Sequence, residues 1–135
     1  MARVLVVEDQ IENLDLMVYL LRAFGHETLV ARDGAEGVAA ITRDRPDLVV
    51  MDLQMPVMDG YQAASVIKAD PGVSWIPLVA VTAYAMVGDR ERIMTAGFDG
   101  YLTKPIDPQT FVGELERHLA PSPPRPGLPT PASEG

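Results

Sequence analysis

The 135-residue chain contains no cysteine. Disulfides, thiol nucleophiles and thiolate metal sites are thereby excluded, and a reducing cytoplasmic location is expected. Aromatic residues are scarce at 6%, and no apolar run is long enough to cross a bilayer, so no membrane partner is expected. Met1 to Val7 carry a single Arg and a short apolar run, which is not the pattern of a secretory signal. Cations are outnumbered, 11 Lys and Arg against 19 Asp and Glu, and the resulting charge of −8 would repel nucleic acid, so none is expected as a partner. Divalent cations and basic patches on proteins suit such a balance better.

What is present is an ordinary globular composition, 47% apolar and 22% charged. At roughly 100–200 residues per domain the length predicts one domain and leaves no room for a separate output domain. Composition shifts near Ala120. Six of the 12 prolines fall between Pro121 and Pro131, so residues 120–135 are expected to form an extended, disordered tail. Upstream, five short apolar runs (Val4–Val7, Thr28–Ala31, Leu48–Met51, Leu78–Val81 and Gly100–Leu102) alternate with segments of helical period. Several runs are apolar without alternation, as in parallel strands buried on both faces. Ile11, Leu14, Met17, Val18, Leu21 and Phe24 place one stripe on a first helix ending before Gly25. Further helices are predicted near Ala35–Arg43, Tyr61–Ala69, Gly88–Ala96 and Pro108–Leu119, with Asp107-Pro108 as the start of the last and Gly97 as the stop of the fourth. Five strand–helix units imply a three-layer α/β/α domain over residues 1–119 with a parallel sheet.

In such open sheets, ligands gather beyond the carboxyl ends of the strands. There the chain places Glu8 and Asp9 after the first run, Asp52 at the end of the third, Thr82 at the end of the fourth and Lys104 just past the fifth. Three carboxylates in one place repel one another unless a cation compensates. His26 and His118 sit elsewhere, so an all-oxygen site favours a hard ion, Mg²⁺ or Mn²⁺. The metal-loaded cluster, with the Lys104 ammonium, would be nearly neutral and able to receive a phosphoryl group.

Four blocks in order, Val6-Val7-Glu8-Asp9, Met51-Asp52-Leu53-Gln54-Met55-Pro56-Val57-Met58-Asp59-Gly60, Val81-Thr82-Ala83 and Tyr101-Leu102-Thr103-Lys104-Pro105, resemble the signature of response regulator receiver domains in two-component systems. The resemblance covers residues 2–119. It implies a flavodoxin-like (βα)5 fold with strand order 2-1-3-4-5 and makes Asp52 the phosphoacceptor. Asp9, Asp52 and the main-chain carbonyl of Gln54 would bind Mg²⁺, with Glu8 acting through water. Lys104 would offset charge, the Thr82 hydroxyl and Ala83 amide would hold the phosphoryl oxygens, and Thr82 with Tyr101 would form the switch. It also implies a cis Lys104–Pro105 bond. Gln54 and Tyr84 flank the site and should influence how water reaches the acyl phosphate.

The expected partners are a sensor histidine kinase or histidine phosphotransfer protein and an unidentified downstream protein. Weak self-phosphorylation from small acyl phosphates and slow dephosphorylation are expected in place of conventional turnover. The segment Val81–Ile106 is similar both to single-domain regulators of cell division and to receivers attached to hybrid kinases. Two roles follow, a stand-alone regulator or a phosphorelay receiver acting as phosphate sink. An aspartate-nucleophile phosphohydrolase is a weaker reading, because Gln54 stands where that chemistry needs a second Asp. A flavodoxin-like electron carrier is weaker too, since Glu8-Asp9-Gln10 would repel a flavin phosphate.

Overall fold

Val4, Leu5, Val6 and Val7 send their side chains alternately to opposite faces of a sheet, and both destinations are apolar cores. In the computed structural model, which describes residues 2–83 and 87–119, this segment lies in β1 (Arg3–Val7). It is followed by α1 (Ile11–Ala23), β2 (Glu27–Ala31), α2 (Gly34–Asp44), β3 (Leu48–Asp52), α3 (Gly60–Lys68), β4 (Leu78–Thr82), α4 (Val87–Thr95), β5 (Gly100–Thr103) and α5 (Phe111–Glu116). All pairings are parallel, in the order β2-β1-β3-β4-β5. The expected flavodoxin-like α/β/α architecture is therefore the observed one.

Burial follows from the layers. β3 and β4 are buried at all five positions, because helices cover both faces. One core joins Leu5, Val7, Val49 and Met51 to α2 and α3 through Ile41, Ala63 and Ile67. The other joins Val4, Val6, Val50 and Val81 to α1 and α5 through Leu14, Met17, Leu21, Phe111 and Leu115. Full burial of such side chains stabilises by about 1.5–3 kcal/mol each, before entropy is counted.

The starts of α2 and α3 are set by short acids. The Asp33 Oδ1 accepts from the Glu36 amide at 2.8 Å to begin α2. Asp59 and Gln62 form a reciprocal capping box at α3, with N···O distances of 2.8 and 3.0 Å. Gly97, at φ 107°, follows α4 in the positive-φ conformation expected of its stop.

One local expectation is corrected. α5 begins at Phe111, not Pro108, because Asp107 first closes a turn: its Oδ1 accepts from the Gln109 amide at 2.9 Å and its carbonyl from the Phe111 amide at 3.0 Å. Trp75, in the segment before β4, is 59% exposed and donates its indole N–H to the Gly72 carbonyl at 2.9 Å. The two histidines stand away from the acids. His26 is buried at the opposite end of the sheet, where Nδ1 accepts from the Ala2 amide and Nε2 lies 2.7 Å from Glu116 Oε2. His118 lies against Gly100. Residues 120–135 and Tyr84 lie outside the described residues, and no helix among the described ones is long and apolar enough to cross a membrane.

Candidate functional site

Sheet register brings the first two acids together. Val7 pairs with Met51 across β1 and β3, so the next residues, Glu8 and Asp52, emerge side by side from neighbouring strands. Glu8 is fully buried and Asp52 is 3% exposed. Asp9, one residue further out, is half-buried, and Gln10 rather than Asp9 occupies the α1 cap position. One carboxylate oxygen from each of Glu8, Asp9 and Asp52 lies within 4.8 Å of the others.

The cation arrives from the far side of β4. Lys104 follows β5, and its amide donates to the Thr82 carbonyl at 2.8 Å, anchoring the chain as it turns over the sheet edge. The Lys104–Pro105 bond is cis. The Lys104 Nζ lies 3.0 Å from Asp52 Oδ2 and 3.3 Å from Glu8 Oε1. The other Asp52 oxygen, Oδ1, accepts from the Gln54 amide at 3.1 Å.

Charge in this pocket is unbalanced. Burial, then the nearby Asp52 charge and a hydrogen bond to it, push the Glu8 carboxyl up to about 7, against the Gln10 amide and Lys104, which favour its anion. Burial opposes the charge on Lys104 as well, but the Asp52 carboxylate and then Glu8 outweigh it, so the ammonium is held above its ordinary range. Among the described residues Glu8 Oε1 is a buried oxygen with no hydrogen-bond partner. An all-oxygen cluster in which Glu8 Oε1 makes no hydrogen bond and has beside it only the Lys104 ammonium, 3.3 Å away and shared with Asp52, fits a hard divalent ion.

The remaining expected residues take their places around this centre. Thr82 is the last residue of β4, 2% exposed, and Ala83 follows it as an exposed residue on the same rim. Gln54 is exposed beside Asp52. Tyr101 is not part of the acidic cluster. It sits half-buried on β5, paired with Ala80, and lines two neighbouring grooves along that edge strand.

Three contributions are absent from the residue-type argument. A side chain at Gly60 would stand 2.8 Å from both the Asp52 carbonyl oxygen and the Leu53 Cα, so only glycine lets α3 start against the end of β3. In the sequence the Asp59-Gly60 pair reads as a turn or a helix start, and the close approach is not legible there. Gly34 donates its amide to the Met58 carbonyl at 3.1 Å, and Arg32 donates from its guanidinium to the Asp9 carbonyl at 3.1 Å. No sequence signal marks the Arg32 contact, which joins loops 23 residues apart.

The family model for the response regulator receiver domain matches residues 4–116. The polar-differentiation response regulator DivK of Brucella anthropi is 39% identical over 116 residues, spanning 86% of this chain and 94% of that protein. Among solved structures, the receiver domain of the sensor histidine kinase PA1611 from Pseudomonas aeruginosa is 35% identical at a TM-score of 0.81, covering 87% of this chain and 97% of that one. That domain was crystallised with a magnesium ion coordinated in its active site cleft. The chemotaxis response regulator CheY4 of Vibrio cholerae is 29% identical at a TM-score of 0.84, covering 88% and 99% of the two chains.

Proposed function

This chain belongs to the response regulator receiver domain family, with a phosphoacceptor role in two-component signalling, and from that premise we propose that Asp52 is the residue that takes the phosphoryl group. The observation that carries the reading is the contact of Lys104 Nζ with Asp52 Oδ2 at 3.0 Å, inside a cluster of three acids at one sheet rim.

In the transfer, an Asp52 carboxylate oxygen forms a bond to phosphorus. The P–N bond of a phosphohistidine breaks, and the imidazole leaves with its electron pair. With a small acyl phosphate the scissile bond is P–O, and a carboxylate leaves. Asp52 is pre-aimed, because the Gln54 amide holds Oδ1 and Lys104 holds Oδ2. Lys104 also offsets charge on the transferring oxygens. Asp9, Asp52 and the Gln54 carbonyl, with Glu8 behind them, are the groups that would hold Mg²⁺, and Mn²⁺ has the same ligand chemistry. When bound, the ion stabilises charge on the phosphoryl oxygens as a Lewis acid. After transfer the Thr82 hydroxyl and Ala83 amide would hold those oxygens, and Tyr101, on the strand beside β4, reads the change at Thr82.

Self-phosphorylation from small acyl phosphates is weak, and release is slow because no second carboxylate stands at Gln54 to activate water. Residues 1–119 form the receiver, and 120–135, read from the sequence as a separate proline-rich segment, lie outside the described residues. The chain acts as a cytoplasmic regulator, as its match to 94% of the length of the DivK relative supports, phosphorylated by a histidine kinase or phosphotransfer protein and signalling to another protein, with no nucleic acid or membrane bound directly. Similarity to the PA1611 receiver favours a second reading, in which the domain serves as an intermediate acceptor and phosphate sink in a relay. Incubation with acetyl phosphate and Mg²⁺ should add one phosphoryl group by intact mass, and Asp52→Asn should add none. An unchanged yield in that variant overturns the assignment.

A further inference from the structure

The loop between β2 and α2 contributes no side chain to the acidic cluster, yet it touches both loops that build it. The Arg32 guanidinium donates to the main-chain carbonyl of Asp9 at 3.1 Å, in the loop between β1 and α1. Two residues on, the Gly34 amide donates to the Met58 carbonyl at 3.1 Å, in the loop between β3 and α3. A Cβ at Gly34 would overlap that carbonyl oxygen, so the approach is as close as backbone permits. The bracket is itself fixed. Glu36 accepts from the Arg32 amide at 3.1 Å, while the Glu36 amide is capped by Asp33 at 2.8 Å.

We propose that Arg32 is a positioning residue for divalent-cation binding, acting through the Asp9 carbonyl to hold the Asp9 carboxylate in register with Glu8 and Asp52. This rests on the reading that Asp9 holds the ion. Asp9 needs such help more than its neighbours do. Glu8 and Asp52 are buried at strand ends, whereas Asp9 is half-buried in the loop beyond β1, and Gln10, not Asp9, takes the cap position of α1. A ligand on an untethered loop must be ordered when the ion arrives, at a cost in affinity.

Charge and position make opposite demands on this residue. A guanidinium beside a cation site repels the ion, so removing Arg32 would tighten binding if charge alone mattered. If Arg32 positions Asp9, removing it weakens binding despite the relieved repulsion, and losses at residues that orient metal ligands run to about 10-fold or more.

The test is calorimetric titration of the wild-type chain, Arg32→Ala and Arg32→Lys with Mg²⁺ alone, without a phosphodonor, together with thermal melts in chelator. The expected result is a dissociation constant raised about 10-fold in Arg32→Ala, largely recovered in Arg32→Lys, with all three melts in chelator alike. Equal or tighter binding by Arg32→Ala, an equal loss in both variants, or a loss matched by a lower melt in chelator overturns the proposal. No Mg²⁺ uptake by the wild type would instead overturn the functional reading beneath it.

Discussion

Glu8 and Asp52 leave adjacent strands at the same level, because Val7 pairs with Met51, and so two carboxylates enter one buried pocket with Lys104 as their shared cation. The price of that arrangement is a Glu8 carboxyl pushed up to about 7 by burial and by Asp52.

Stability of the metal-free protein should therefore depend on pH in a definite sense. Glu8 binds a proton more tightly folded than unfolded, so its contribution is fully present below about 4.5 and is lost as pH rises to about 7. Mg²⁺ competes with that proton, so its affinity should rise across the same window and level off above it. Melts in chelator and in Mg²⁺ between pH 4.5 and 8 check both slopes; a flat metal-free profile would falsify the account of Glu8.

Burial and the neighbouring Asp52 charge both disfavour the Glu8 anion, and replacing Asp52 by Asn removes the second of these. Each unit by which the Glu8 pKa falls toward its ordinary value is worth about 1.4 kcal/mol at neutral pH. Asp52→Asn should therefore melt higher than the wild type in chelator at pH 7.5 while accepting no phosphoryl group. A lower melt would show that the lost Lys104 contact outweighs the relieved repulsion.

Lys104→Met leaves both acids without their cation. Hydrogen bonds to charged groups contribute about 1.5–3 kcal/mol, and a loss of that order is expected in the absence of metal, with partial recovery in Mg²⁺. Phosphorylation by acetyl phosphate should slow by about 100-fold even in saturating Mg²⁺, as for loss of one oriented transition-state donor. A rate restored by metal alone would remove Lys104 from the transfer step.

Gly60→Ala probes the contact of α3 with the end of β3. Its methyl would press on the Asp52 carbonyl and Leu53 Cα at 2.8 Å, and overpacking of this kind costs about 1–3 kcal/mol. Chemical denaturation should show that loss, with weaker Mg²⁺ binding beside it, because the displaced backbone carries Asp52. Wild-type stability in this variant would mean that α3 can slide away freely.

Val57 stands at φ 71°, a left-handed conformation that a β-branched side chain tolerates poorly, and it is 82% exposed. Nothing in its packing offsets a strain of about 1–2 kcal/mol. Val57→Asn, a residue that adopts this conformation more readily, should raise the melting temperature, and thermal denaturation decides it directly.

Much of this was written along the chain. The runs from Val4, Leu48 and Leu78 are unbroken apolar stretches, which only strands covered on both faces require. Glu8, Asp52, Thr82 and Lys104 each fall at or just past a run's carboxyl end, and parallel strands bring all such ends to one rim. The start of α5 was not legible, because Asp107-Pro108 opens a turn as readily as a helix and the choice depends on where Phe111 finds its core. The exposure of Trp75 was hidden for a related reason: a large ring says nothing of which surface reaches it.

Periodicity and residue type, which act over three or four positions, determined the alternation of strand and helix, the parallel sheet and the rim on which the acids meet. Contacts between distant segments decided the rest: the 3.0 Å approach of Lys104 to Asp52, the glycine-only seat of α3, and the Arg32 bond to Asp9. Those depend on strand register and on how closely backbones approach. Neither quantity exists until the layers have packed.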